Sequence, residues 1–243
     1  VDNLAILNGS AVQSAAYRYD AAGQIVAKVD GLGNTETYTY DAAGRRLTTT
    51  DANGNVSRNV YDAAGRLIYA IDATGAFTHN WYDGNDRLVA VRRFSSRFDT
   101  ALLNDAVTAS ELDGQLGALG AWSAEYQTEY RVYDGAGRLR YVYDGGAYLT
   151  RMDYDGAGRM TLTSRYAVAF SPSDSTLVNR LFAGNATEAD FSAFVAANEA
   201  SARTEATIYD AAGRARYALR RDGSQWTVSE RQYDGVDRVT LET

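Results

Sequence analysis

His79 is the single histidine of this 243-residue chain, so any Ser-His-Asp relay would have to run through it. It precedes Trp81-Tyr82 in a stretch that reads as a strand, and we read it as a plain strand histidine. The chain has no cysteine, which removes disulfides, thiolate metal sites and thiol catalysis together. Asp51-x-Asn53-x-Asn55 opens like a calcium loop, but its glycine stands at the fourth position instead of the sixth and no Glu follows at the twelfth. Its aspartates are better read as caps of their own turns. Glycine clusters fall in those same turns, so no phosphate-cradling loop is left. The expectation is a chain with no catalytic residue, no cofactor and no metal site. What remains is a ladder of tyrosines, which could pack across strands or stack on sugar rings.

The ladder is periodic. Tyr19-Asp20, Tyr40-Asp41, Tyr61-Asp62 and Tyr82-Asp83 follow one another at 21 residues, as do Tyr133-Asp134 and Tyr154-Asp155; Tyr209-Asp210 and Tyr233-Asp234 complete the set. Each opens the pattern Tyr-Asp-x-x-Gly-Arg. The glycines are Gly23, Gly44, Gly65, Gly137, Gly158 and Gly213, with Asp86 and Asp237 in the other two units. Aspartate also tolerates the left-handed backbone, so the exchange supports a turn. The arginines are Arg45, Arg66, Arg87, Arg138, Arg159, Arg214 and Arg238, with Gln24 as the exception. Each arginine is expected to pair with a nearby Asp or to cover a Tyr ring. About ten residues on comes a second turn, as in Asp30-Gly31-Leu32-Gly33, Asp51-Ala52-Asn53-Gly54 and Asp72-Ala73-Thr74-Gly75.

Two turns per period leave two strands of about six residues. Six residues after the repeat Tyr stand Ile25, Arg46, Leu67, Leu88, Leu139, Met160, Ala215 and Val239; eight after stand Ala27, Thr48, Tyr69, Ala90, Tyr141, Leu162, Tyr217 and Leu241. Period-two reading puts both sets on one mostly apolar face. The unit is therefore a β-hairpin, and the chain an all-β antiparallel hairpin meander whose twist should make it curl. We read residues 1–243 as a single array with insertions at about 94–128 and 166–204. Each insertion holds one helix candidate. Thr108-Ala109-Ser110-Glu111 reads as a capping box ahead of Leu112, Leu116 and Leu119, and Thr187-Glu188-Ala189-Asp190 precedes Phe191, Phe194 and Val195. They are expected to cover a sheet face or edge, with a partner-binding role as the alternative.

The eight in-phase units resemble the YD repeats of the RHS family, which also takes in the cocoon components of insecticidal Tc toxins and the teneurins. The resemblance spans nearly the whole chain. It implies a β-sheet spiralling into a hollow shell, of which this chain would be an arc, and it implies export or surface display. The family's Asp-Pro autoproteolytic motif is missing, since the only proline is Pro172, after Ser171. Tyr233-Asp234 lies ten residues from the end, so a non-repetitive toxin segment is not expected within these 243 residues, and the start at Val1 looks like a cut from a longer chain.

Two functions follow as expectations. The first is a structural scaffold: part of the wall of a large secreted or surface-exposed bacterial protein, enclosing a toxin or other cargo, with the rest of its own longer chain as partner. The alternative is an adhesin module that binds glycan or a cell-surface protein through exposed Tyr and Trp. A net charge of -7 with interspersed signs argues against nucleic acid, and no apolar run suits membrane insertion. Open sheet edges invite edge-to-edge self-association.

Overall fold

The computed structural model describes residues 15–118, 126–172 and 175–243. Its strands are β1 (Ala16–Tyr19), β2 (Ile25–Val29), β3 (Thr35–Tyr40), β4 (Arg46–Thr50), β5 (Val56–Tyr61), β6 (Leu67–Ile71), β7 (Ala76–Tyr82), β8 (Leu88–Arg97), β9 (Tyr126–Tyr133), β10 (Leu139–Tyr143), β11 (Tyr148–Tyr154), β12 (Met160–Ala169), β13 (Arg203–Tyr209), β14 (Ala215–Asp222), β15 (Gln225–Tyr233) and β16 (Val239–Glu242). They lie in one 16-stranded sheet in strict chain order, an antiparallel meander. The chain packs as two compact units, Val1–Asn80 with Arg92–Tyr126, and Trp81–Val91 with Gln127–Thr243.

One feature of the register was not anticipated. Opposite the repeat tyrosine the pairing slips by one residue, as where Arg18 faces Ala27 but Tyr19 faces Ile25, and Val60 faces Tyr69 but Tyr61 faces Leu67. The same bulge recurs at Tyr40, Tyr133, Tyr154, Tyr209 and Tyr233. An extra residue in a strand of period two reverses the facing of everything beyond it. The positions six and eight after the tyrosine therefore lie on opposite faces, not on one. Ala27, Thr48, Tyr69, Ala90 and Tyr141 are buried, whereas Arg46, Met160 and Val239 are exposed beside the tyrosines on the other side.

The buried face is closed by the insertions, unit by unit. In the first unit α1 (Ala109–Ala118) sets Leu112 and Leu116 against Val60, Tyr69, Ile71, Phe77 and Phe94. Its capping box forms: Thr108 N–H donates to Glu111 Oε2 at 2.8 Å, and Glu111 N–H returns to Thr108 Oγ1 at 3.3 Å. Leu119 lies outside the described residues. In the second unit the insertion holds two helices, not one. α2 (Ser175–Ala183) was missed from the sequence; its Leu177 and Leu181, four apart, bury against Tyr130, Tyr141, Leu149 and Tyr166. Beyond the Thr187–Asp190 box, Phe191 leads into α3 (Ser192–Asn198), and Phe191 and Phe194 both lie against the Phe170 ring.

Candidate functional site

The repeat turn is built around one carboxylate. At Asp41 the backbone closes a tight turn, with Gly44 N–H donating to Asp41 O at 3.0 Å and Asp41 N–H to Arg45 O at 2.9 Å. Gly44 has φ +80°, where a Cβ would be strained; Asp86 and Asp237 take φ +61° and +65° at the same step. Asp41 Oδ1 accepts the N–H groups of Ala43 and Arg45, both at 2.9 Å. Asp41 Oδ2 accepts Arg45 Nε at 2.6 Å. The same set is present at Asp134, Asp155, Asp210 and Asp234. The Arg45 backbone N–H, against some desolvation and aided by the Arg45 side chain, holds the Asp41 carboxyl below its ordinary value.

The arginine then reaches the next unit. Its guanidinium carbon lies 4.9 Å from the ring centroid of Tyr61 for Arg45, and 4.7 Å from that of Tyr154 for Arg138. The covered tyrosine points its hydroxyl back: Tyr61 Oη donates to Arg46 O at 3.0 Å and Tyr154 Oη to Leu139 O at 2.7 Å. Arg214 and Tyr233 repeat the pair at 4.7 Å, with Tyr233 Oη on Ala215 O at 2.7 Å. Asp, Arg and the following Tyr thus form one stitch between successive hairpins. Tyr61, Tyr133, Tyr154, Tyr209 and Tyr233 are half-buried in it; Tyr40, which follows Gln24 and not an arginine, is half-buried too, while Tyr19, the first of the series, is 54% exposed. Sequence reading weighed the Asp and Tyr contacts of the arginine as alternatives; Arg45, Arg87, Arg138, Arg159 and Arg214 make both.

The intervening turns use the same geometry. Asp51 Oδ1 accepts the N–H groups of Asn53 and Asn55, and Asn55 Nδ2 donates to Asp51 Oδ2 at 2.8 Å, so both carboxylate oxygens of Asp51 are taken up inside the turn. Among the described residues no group of three His, Asp or Glu is placed to hold a metal ion. Tyr143-Asp144, a further Tyr-Asp pair that went unremarked in the sequence, occupies this intermediate phase and carries Ala147 at φ +67°.

His79 sits on the covered face of β7, its ring 4.1 Å from that of Tyr69. Burial, with the Arg92 charge nearby, lowers its pKa to about 3, so the imidazole is neutral. Tyr69 in turn donates its hydroxyl to Asp113 of α1, and Tyr166 to Glu199 at 2.9 Å; burial and these carboxylates push both phenols upward. Each insertion is also anchored by an arginine of the sheet. Arg58 donates to Leu103 O at 2.9 Å and Asn104 O at 3.2 Å, and Arg221 to Glu199 O and to Ala202 O at 3.3 Å. These anchors were not read from the sequence, where isolated arginines carry no signal of what they reach.

Residues 19–56 match the family model described as RHS Repeat. No curated protein matches the chain. Among solved structures it is similar to the Tc holotoxin pore of Photorhabdus luminescens, at 14% identity and a TM-score of 0.61 over 94% of this chain. It is also similar to TcdB2-TccC3 without its hypervariable C-terminal region, at 15% identity and a TM-score of 0.51 over 93% of this chain. The chain spans 10% and 11% of those two chains. At such identity the likeness is one of fold.

Proposed function

We propose that this chain, which is built of YD repeats of the RHS family, is a structural segment of a larger secreted or surface-exposed protein, forming part of a wall around a toxin or other cargo. The observation that carries the reading is the stitch. Its Asp, Arg and Tyr side chains are spent on one another and on the backbone of the adjoining hairpin, which gives the repeat signature a mechanical role and leaves no free chemistry in it. The fold shared with a Tc holotoxin pore over nearly the whole chain supports the same role. Among the described residues no helix is long and apolar enough to cross a membrane. The chain itself performs no catalysis in this reading: its one histidine lies on the covered face of β7 with its ring 4.1 Å from that of Tyr69.

Electron microscopy of the longer polypeptide that contains this array tests the proposal. A hollow particle with residues 15–243 in its wall is the expected result. A particle with no internal cavity, or one in which these strands project as a separate arm, would overturn it.

A further inference from the structure

The covered face of the sheet follows a rule of four strands. Over β5 to β8, within the first unit, apolar Val60, Tyr69, Ile71, Phe77 and Phe94 are closed by Leu112 and Leu116. Over β9 to β12, Tyr130, Tyr141, Leu149 and Tyr166 are closed by Leu177, Leu181 and Phe191. In both cases the closing segment leaves from the fourth strand of its group, and β8 and β12 are both 10-residue strands. Where the corresponding face is polar, as at Thr37, Thr39 and Thr48 on β3 and β4, no helix follows. Apolarity and helical cover go together.

The third group, β13 to β16, carries the apolar face and, beyond Thr204 and Arg221 at the border of the second insertion, no cover among the described residues. Register puts Ile208 with Tyr217, Leu219 with Val228, and Arg221 with Trp226 on that face; Leu241 joins them opposite Gln232, and Glu230 on the same face accepts the Tyr217 hydroxyl at 3.1 Å. Ile208 is 50% exposed, Trp226 47%, Val228 59% and Leu241 43%. β15 alternates Trp226 and Val228 on this side with Thr227 and Ser229 on the other, a pattern of a strand covered on one face. The patch is continuous with the covered surface beside it: Arg221 lies 5.4 Å from the Trp226 ring centroid and donates to Ala202 O, at the end of the second insertion.

We propose that the apolar face of β13 to β16 is a docking surface for a further helix-bearing segment of the same polypeptide. The segment is amphipathic, with Leu and Phe on one side at the spacing of Leu177 and Leu181 or of Phe191 and Phe194. It lies alongside the second insertion and extends the helical layer by one group. The inference rests on the reading of this chain as part of a longer protein.

Trp226 is the reporter. In a chain carrying Trp81→Phe and Trp122→Phe, a copy of residues 175–202 is joined after Thr243 through a flexible linker, which keeps the probe at high effective concentration. The expected result is a blue shift of Trp226 emission and a several-fold fall in its quenching by acrylamide. Both should be lost when the copy has Leu177, Leu181, Phe191 and Phe194 replaced by Ser, and also when the sheet carries Val228→Ser. Unchanged emission with the apolar copy, or the same shift with the Ser copy, would overturn the proposal. So would protection of Trp226 in the unextended chain that grows with concentration and accompanies dimer formation, since a second copy would then be the occupant. None of these readings depends on a hollow particle, so failure here leaves the wall proposal standing on its own test.

Discussion

Acid should destabilise the fold through His79 before it reaches the carboxylates. A histidine with an ordinary pKa of about 6.5 when unfolded and about 3 when folded binds its proton only in the unfolded chain between those values. Its folded pKa is depressed, so its contribution is complete above about pH 6.5 and declines as pH falls towards 3. Linkage at one pKa unit per 1.36 kcal/mol gives a loss of about 2 kcal/mol at pH 5 and about 3 kcal/mol at pH 4. The chain has one histidine, so its imidazole signals in a proton–carbon NMR spectrum need no assignment, and they should stay in the neutral form down to about pH 4. Urea midpoints measured over the same range should fall, and in His79→Phe, which keeps an aromatic ring against Tyr69, the slope between pH 6.5 and about 5, above the range in which the turn carboxylates take up protons, should vanish. An imidazole that titrates near 6.5 in the folded chain would refute the reasoning, because the ring would then have to be solvated.

Further outcomes follow from the same structure. Arg138→Ala and Tyr154→Leu, combined in a double-mutant cycle read by hydrogen exchange of the β10–β12 amides, should couple by about 1 kcal/mol; additivity would break the stitch as described. Gly54→Ala, whose new methyl would meet open space at φ +84°, should cost about 1–2 kcal/mol. Gly75→Ala should cost far more, because its methyl would fall on the Phe98 carbonyl; equal urea midpoints for the two variants would contradict this. Phe191→Ala should cost about 3–5 kcal/mol and loosen the second insertion, seen as proteolysis within residues 170–202 while the strands stay protected. On a glycan array the folded chain should give no signal; binding abolished by Tyr148→Ala would revive the adhesin reading, since Tyr148 lines a surface cleft with Arg165, Tyr166 and Arg203.

The meander was legible because its turns make a demand that few residues meet. A positive φ at one fixed step selects Gly44 or Gly158, or Asp86 where glycine is lost, and the Tyr-Asp pair ahead of that step marks the period. The facing of the strands was not legible. A bulge adds one residue without any compositional mark, so Ile25 and Ala27 read as neighbours on one face and lie on two. α2 was overlooked because it follows the turn-like Ser171-Pro172 and pairs Leu177 with Leu181 over only nine residues. The contacts of the arginine were expected, but which tyrosine it reaches was not legible: Arg45 and Tyr61 meet only once the strands between them are paired, so neither position reveals its partner.

The stitch is the same whether or not an insertion interrupts the chain. Arg87 lies 4.6 Å from the Tyr133 ring centroid and Arg159 4.5 Å from that of Tyr209, although an insertion separates each pair, and Tyr133 Oη and Tyr209 Oη still donate to Leu88 O and Met160 O at 2.9 Å. The joint between neighbouring hairpins is therefore indifferent to the length of polypeptide looped out beside it, and doubling such a loop adds only about 0.6 kcal/mol of closure entropy. Helical segments can be exchanged, shortened or enlarged at these two joints while the strands on either side keep their register, so the array can change what it carries on one side at a rate unrelated to the rate at which its sheet changes.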